Sequence, residues 1–558
     1  MLNALKNTFT KRVVYFTVTT LFVFPESHAL NKYIVQKSLT EIKANKNYTF
    51  LEKHTTNIKK INVRGSIVLQ EEVIDLLNKY IDREFSSKLE AELISQINKL
   101  YNRKGYILSH VHDIKFKDST LTAEIFEGSF RHIIINDEKL STNTLLKQYI
   151  NKIKTAPHPF RNTSEMERTF ALIKRLPGFN EYQYILDFKP VNRKEINQNP
   201  PKTADLVIIG EYHEFDGIAT INNRHKTSYK QQMQQSNQRN LEYNGSSINT
   251  DLIIDYNNPL NTGDKATLST SYDGKGDLLS LATSYIYPLN TLGTTIGVTP
   301  YTSYSSTYNG TRGTGIMLNL AHPLYLTRTK SLDTNFSIET YKENFKDFGQ
   351  AQDINSDITK IGIGSKFTHK INKQSKYYIG SEIQKSLHAI TTTIPNLKKR
   401  DFTKLVLSAG IEVPIKSLTL SIDTQGQISS KKTPLMEQMQ IGQEKGGRGF
   451  RSGEIKGNNA AMASLELSQN IPFLHSFFLG RRTYGFLDTG YANNTLFKTK
   501  STLSSIGIGN DLFLRDNIVI TLEVVKPLVT DTKFNESSKD RSDKQLKFFG
   551  EISYLFNF

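Results

Sequence analysis

The sequence predicts a transmembrane antiparallel β-barrel of about sixteen strands behind two small α+β modules of order β-α-α-β-β. Three observations predict it. From about residue 211 onward helical spacing disappears, and segments of about ten residues alternate between apolar and polar side chains. Ahead of them, one strand–helix–helix–strand–strand pattern occurs twice. No apolar run reaches the roughly 18 residues that a membrane helix needs, which excludes a polytopic helical protein and leaves a barrel open.

Composition narrows the classes further. At 558 residues the chain is too long for one core, so several domains are expected. Hydrophobic residues make up 37%, and the mean hydropathy is −0.43, both low for a chain buried on all sides. With no cysteine there is no disulfide framework, thiolate metal site, iron–sulfur cluster or cysteine nucleophile. Lysine and arginine (71) exceed aspartate and glutamate (54), giving a net charge of +17. No zinc-finger, RNP or helix-turn-helix signature accompanies it, so the excess reads as a solvated basic surface and no nucleic-acid partner is expected.

Taken in chain order, residues 1–29 have the layout of a signal peptide. Lys6, Lys11 and Arg12 precede a short apolar stretch from Val13 to Phe24, Pro25 ends it, and Ser27-His28-Ala29 is a small-x-small cleavage site. Residues 30–56 are polar and read as a short helix and a linker.

The first module spans 57–128. IKKINVRGSIVL gives a strand, Val73, Leu76, Leu77, Tyr80 and Ile81 recur at helical spacing, and Leu89, Leu93, Ile97 and Leu100 give a second helix ended by Gly105. Ile114 and Phe116 mark one strand; Leu121, Ala123 and Ile125 mark another. The second module spans 129–210. FRHIIIN is a strand, Leu145 to Ile153 and Met166 to Ile173 give two helices, and strands YQYILDF and ADLVIIG flank a polar insert.

The barrel takes 211–558. In its last segment Leu546, Phe548, Gly550, Ile552, Tyr554, Phe556 and Phe558 share one face, with Lys547, Glu551, Ser553 and Asn557 on the other. Short turns alternate with long polar loops, of which 429–460 is one, so the short side faces the periplasm. That loop holds Gly446-Gly447-Arg448-Gly449-Phe450 and joins the eleventh and twelfth candidate strands. The thirteenth carries Phe486-Leu487-Asp488-Thr489-Gly490.

These features together resemble the two-partner secretion transporters (TpsB, the haemolysin secretion/activation proteins). Their family pattern is two POTRA domains before a sixteen-stranded outer-membrane barrel. Arg448-Gly449-Phe450 is similar to the family's RG[F/Y] loop motif, and Phe486-x-Asp488-x-Gly490 to its F-x-D-x-G wall motif. Leu176-Pro177-Gly178, Ala204-Asp205-Leu206-Val207 and Val525-Lys526-Pro527-Leu528 look like further family positions. The resemblance implies that the loop folds back into the lumen and that Arg448 pairs with Asp488. A water-filled lumen would keep that arginine charged, and screening there would hold the pair near the exposed-pair value of about 1 kcal/mol or less. One departure is Gly447 where the family has valine, which suggests a looser loop tip. Val63-Arg64-Gly65 repeats the tripeptide inside a module strand and is given no role.

The resemblance also implies partners: a secreted exoprotein client of adhesin, haemolysin or toxin type bound at the POTRA domains, outer-membrane lipid, and the barrel assembly machinery, read through a terminal Phe558. Folding of the client outside would supply the energy, with no nucleotide. Alternatives are an outer-membrane protein insertion factor of the same superfamily, or a passive porin or adhesin. No H-E-x-x-H, G-x-S-x-G or G-x-x-x-x-G-K-[ST] occurs. His110 and His112 share a strand face without an evident third ligand. No catalytic residue, metal or cofactor is therefore expected.

Overall fold

The structure is a computed structural model. It describes residues 56–557 apart from 158, 189–201, 224–247, 274–278, 306–310, 347–352, 373, 393–400, 431–432, 435–436, 444–445, 451–452, 473–477, 496–497, 515–516, 535–536 and 541–544. Residues 1–29, where a signal peptide is expected, the segment 30–55 and Phe558 lie outside the described residues. The chain divides into two units, meeting between Tyr212 and His213.

The N-terminal unit contains both modules. The first has β1 (Lys60–Arg64), α1 (Gln70–Asn78), α2 (Ser87–Arg103), β2 (His110–Lys117) and β3 (Thr120–Phe126). Its sheet order is β1-β3-β2, with β1 parallel and β2 antiparallel to β3. Val73 and Leu77 of α1 and Leu89, Leu93, Ile97 and Tyr101 of α2 recur every three or four residues, so each helix buries one stripe against Ile114, Leu121, Ala123 and Ile125. Ser86 caps α2 by accepting the Leu89 N–H at 3.2 Å.

The second module repeats this plan with β4 (Ser129–Ile135), α3 (Glu138–Thr142), α4 (Thr144–Lys154), α5 (Ser164–Ile173), β5 (Phe179–Phe188) and β6 (Lys202–Tyr212), in sheet order β4-β6-β5. Sequence periodicity gave two helices here; α3 is a third. At five residues it is too short to show a period. It exists because Asp137 and Asn143 are both caps, accepting from Leu140 N and Leu146 N, with Leu140 buried between them. The modules are joined without slack. Asn162 N donates to Gly105 O at 2.7 Å, and Phe160 N to Gly128 O at 3.0 Å.

The second unit is a closed antiparallel barrel of sixteen strands. The first strand (Phe215–Asn222) pairs with the last (Lys547–Asn557), Glu551 opposite Asn222 and Asn557 opposite Asp216, so the barrel has no free edge. A short segment, Ser537–Asp540, pairs antiparallel with the end of the fifteenth strand, Phe534 opposite Ser537. The two barrel faces are inverted relative to a soluble core. Leu465, Leu467, Leu487, Ile506, Ile508, Leu522, Phe548, Ile552 and Tyr554 are exposed on the outside. Ser464, Glu466, Asp488, Ser505, Glu523 and Ser553, which alternate with them, are buried inside. A sheet whose outer face is apolar and whose strands pair in a closed ring suits hydrocarbon.

Candidate functional site: a loop held inside the barrel

Between the eleventh strand (Leu418–Ser429) and the twelfth (Asn459–Pro472) the chain folds inward. Met439–Ile441 pairs antiparallel with Ile455–Gly457 as a small hairpin, Ile441 opposite Ile455. Its apolar residues pack with Phe450 against Ala460, Ala492 and Leu503 of the twelfth, thirteenth (Phe478–Asn494) and fourteenth (Thr499–Leu514) strands. Phe450 is thus an anchor for the hairpin, 8% exposed.

The tip is a tight turn. Gln443 N donates to Gly447 O at 3.0 Å and to Phe450 O at 3.1 Å, and Phe450 N donates to Gly447 O at 3.2 Å. Gly449 sits at φ +86°, and a Cβ there would lie 2.6 Å from Val525 Cγ1 on the fifteenth strand (Ile518–Phe534). Gly447 is not loose. A Cβ on it would lie 2.7 Å from Gly442 Cα, so the two arms touch where a valine would separate them. The departure from the family pattern tightens the tip instead of loosening it.

This turn aims Arg448 at the inner wall. Its Nε donates to Asp488 Oδ2 at 2.9 Å and its Nη2 to Asp488 Oδ1 at 3.0 Å, a forked pair. Nη1 donates to Glu466 Oε2 at 3.0 Å, Nη2 also to Ser464 Oγ at 3.0 Å, and the backbone N of Arg448 to Asp488 Oδ2 at 3.0 Å. The guanidinium carbon lies 3.4 Å from the centroid of the Phe486 ring. Ser464 faces Asp488 across the ladder and donates to Asp488 Oδ1 at 2.7 Å.

A further ring of charge supports this one. Arg482 bonds Glu466 through its second carboxylate oxygen and Asp511 Oδ2 at 2.9 Å. Tyr484 OH donates to Glu523 Oε1 at 2.7 Å, and Glu523 lies 4.0 Å from Arg448 Nη1. Burial opposes charge on Arg448, but the bonds to Asp488 and Glu466 outweigh it and raise its pKa above the ordinary arginine value.

The structure therefore brings Arg448, Phe486 and Asp488 into one contact and gives each F-x-D-x-G residue a place. Positions i, i+2 and i+4 of a strand share a face. Phe486 lies beneath the guanidinium, Asp488 grips it, and Gly490 leaves clearance: a Cβ there would lie 2.7 Å from Ile441 Cγ2. One expectation is corrected. The pair is not in open water: Arg448 is 5% exposed and Asp488 0%, because the hairpin covers them, so screening by solvent is slight. Glu466, Ser464, Arg482 and Glu523 escaped sequence reading. The signal for Arg482 was its place four residues before Phe486 on the same face, and for Glu466 a charge between Leu465 and Leu467.

Elsewhere, Arg64 ends β1 at the module surface. His112 stacks on Phe126 with centroids 4.2 Å apart, and His110 meets the same ring at 6.0 Å. Among the described residues no group of three or more His, Cys, Asp or Glu is placed to hold a metal.

Comparison with known proteins gives the same picture. Residues 221–512 match the family model of the haemolysin secretion/activation protein ShlB/FhaC/HecB. The heme/hemopexin transporter protein HuxB of Haemophilus influenzae is 20% identical over 550 residues, covering 92% of this chain and 93% of that protein. Among solved structures, CdiB from Escherichia coli superposes with a TM-score of 0.62 at 17% identity, covering 96% of this chain and 99% of CdiB. CdiB from Acinetobacter baumannii gives 0.55 at 14% identity, covering 95% and 98%.

Proposed function

We infer how this molecule works from the premise that the chain belongs to the haemolysin secretion/activation protein family ShlB/FhaC/HecB. It is an outer-membrane transporter of two-partner secretion. Its POTRA domains lie in the periplasm, and a secreted partner protein crosses through its barrel to the cell surface.

The finer steps are our reading. The client is a large exoprotein of adhesin, haemolysin or toxin type, and it is captured at residues 57–210. The edge strands β1, β2, β4 and β5 offer main-chain groups to an extended client. Arg448, Gly449 and Phe450 seat the inward loop on Phe486, Asp488 and Gly490, and the client passes when that loop gives way. The observation that carries this reading is the buried Arg448–Asp488 fork between a loop and the wall. A loop tied by side chains can be untied, whereas a barrel strand cannot leave without breaking its ladder. The barrel assembly machinery inserts the chain.

The test is co-expression with a candidate exoprotein client, sought in the neighbouring reading frame. Surface and medium should contain the client when the chain is intact, and the periplasm should retain it when residues 57–210 are removed. Equal export without those residues would refute capture at the POTRA domains.

A further inference from the structure

The inward loop has a second charged contact that lies outside both sequence motifs. Glu437 is 3% exposed. Its Oε1 accepts from Lys360 Nζ at 2.7 Å and from Tyr341 OH at 2.9 Å, and its Oε2 lies 2.6 Å from Lys404 Nζ. Lys360 also pairs with Glu339 at 3.0 Å, and Tyr301 OH donates to Glu339 at 2.6 Å. The backbone O of Glu437 accepts from Gln427 Nε2 at 2.9 Å, and the neighbouring Gln438 accepts from Asn494 Nδ2 at 2.8 Å. Burial opposes charge on Glu437, but Lys404 and Lys360 outweigh it and lower its pKa.

These wall partners stand on the seventh (Lys330–Lys346), eighth (Asp353–Lys370) and tenth (Thr403–Ile415) strands. Arg448 binds the twelfth and thirteenth. The strands of Lys360 and Lys404 lie between two and five strands from those of Glu466 and Asp488 in the sixteen-strand wall. Glu437 and Arg448, two loop residues of opposite sign, are thus each buried against wall charges of the opposite sign. A loop docked the other way round would bury like charges together.

We propose that Glu437, with Lys360 and Lys404, is a second charged fastening of the inward loop, which is therefore a strap tied to the inner wall at more than the Arg448 site. Glu437 is a positioning residue. Its loss leaves two lysines without their shared counter-charge, and that sector of the strap comes free while Arg448 stays seated. The consequence for secretion rests on the transporter reading above; the fastening itself does not.

The experiment is single-channel conductance of the purified full chain in planar lipid bilayers, with no client present. Heat-modifiable migration in detergent checks that each barrel has assembled. Glu437→Gln is expected to raise the open fraction about tenfold, the change that 1.4 kcal/mol produces. Arg448→Ala should raise it separately, and the two together should exceed either alone. If Glu437→Gln fails to assemble, Lys404→Gln probes the same pocket from the wall. An assembled Glu437→Gln or Lys404→Gln barrel with unchanged conductance overturns the second fastening. Client export is assayed in parallel. Failure of the intact chain to export would overturn the transporter reading and leave the conductance result standing.

Discussion

The guanidinium of Arg448 lies 3.4 Å above the ring of Phe486, two residues before the Asp488 carboxylate that it grips with Nε and Nη2. Ring and carboxylate stand on one face of one strand, so the wall presents a flat apolar floor and a charged edge at fixed spacing. A planar cation with donors around its rim fits such a surface, whereas an ammonium fits only a point in it.

Arg448→Ala should leave an assembled barrel and sharply reduce secretion. Removing one partner of a buried pair costs about 3–5 kcal/mol, and the covered Asp488 and Glu466 place this site in that range. The barrel ladder does not depend on Arg448, so detergent-resistant, heat-modifiable migration should persist. Arg448→Lys should also be defective, since lysine cannot bond Asp488 and Glu466 through one rigid fork. Quantifying exported client against barrel level checks both.

Asp488→Ala should match Arg448→Ala, and the double variant should be no worse than either. Glu466→Gln should be milder, because Arg448 keeps both bonds to Asp488. A double-mutant cycle on export or on channel opening measures the coupling, which for contacting residues is about 0.5–3 kcal/mol. Additive defects would contradict a working Arg448–Asp488 pair.

Gly490→Ala should displace the hairpin, because its methyl would arrive 2.7 Å from Ile441 Cγ2. Overpacking of this kind costs about 1–3 kcal/mol. Ile441→Ala in the same chain should restore part of the lost secretion by removing the atoms that clash. Absence of any rescue would place the effect of Gly490 elsewhere.

Deleting residues 57–210 should leave a barrel that inserts but exports no client. The sixteen strands close their hydrogen bonds among themselves, with the first paired to the last. Outer-membrane fractionation and client export, measured on the same cells, separate insertion from transport.

Much of this molecule was legible along the chain because its signals are local. Alternation at Ile552, Ser553 and Tyr554 marks an outer and an inner face, since successive side chains of a strand point opposite ways. The stripes Val73–Leu77 and Leu89–Leu93–Ile97 fix α1 and α2 by the same reasoning at helical period. The motif pair Arg448 and Asp488 was legible only through resemblance to a family, because nothing in the spacing of residues forty apart states that they touch. Tertiary structure alone decided the rest. Barrel closure sets which strands border the lumen, and the inward fold of the loop sets which inner-face charges it meets. Hence Glu466 and Arg482 became partners of Arg448's pocket, and Glu437 met Lys360 and Lys404 from strands far from it in sequence. The same covering removed water from the Arg448–Asp488 pair and pressed Gly447 against Gly442, two properties of a closed three-dimensional contact that no one-dimensional period encodes.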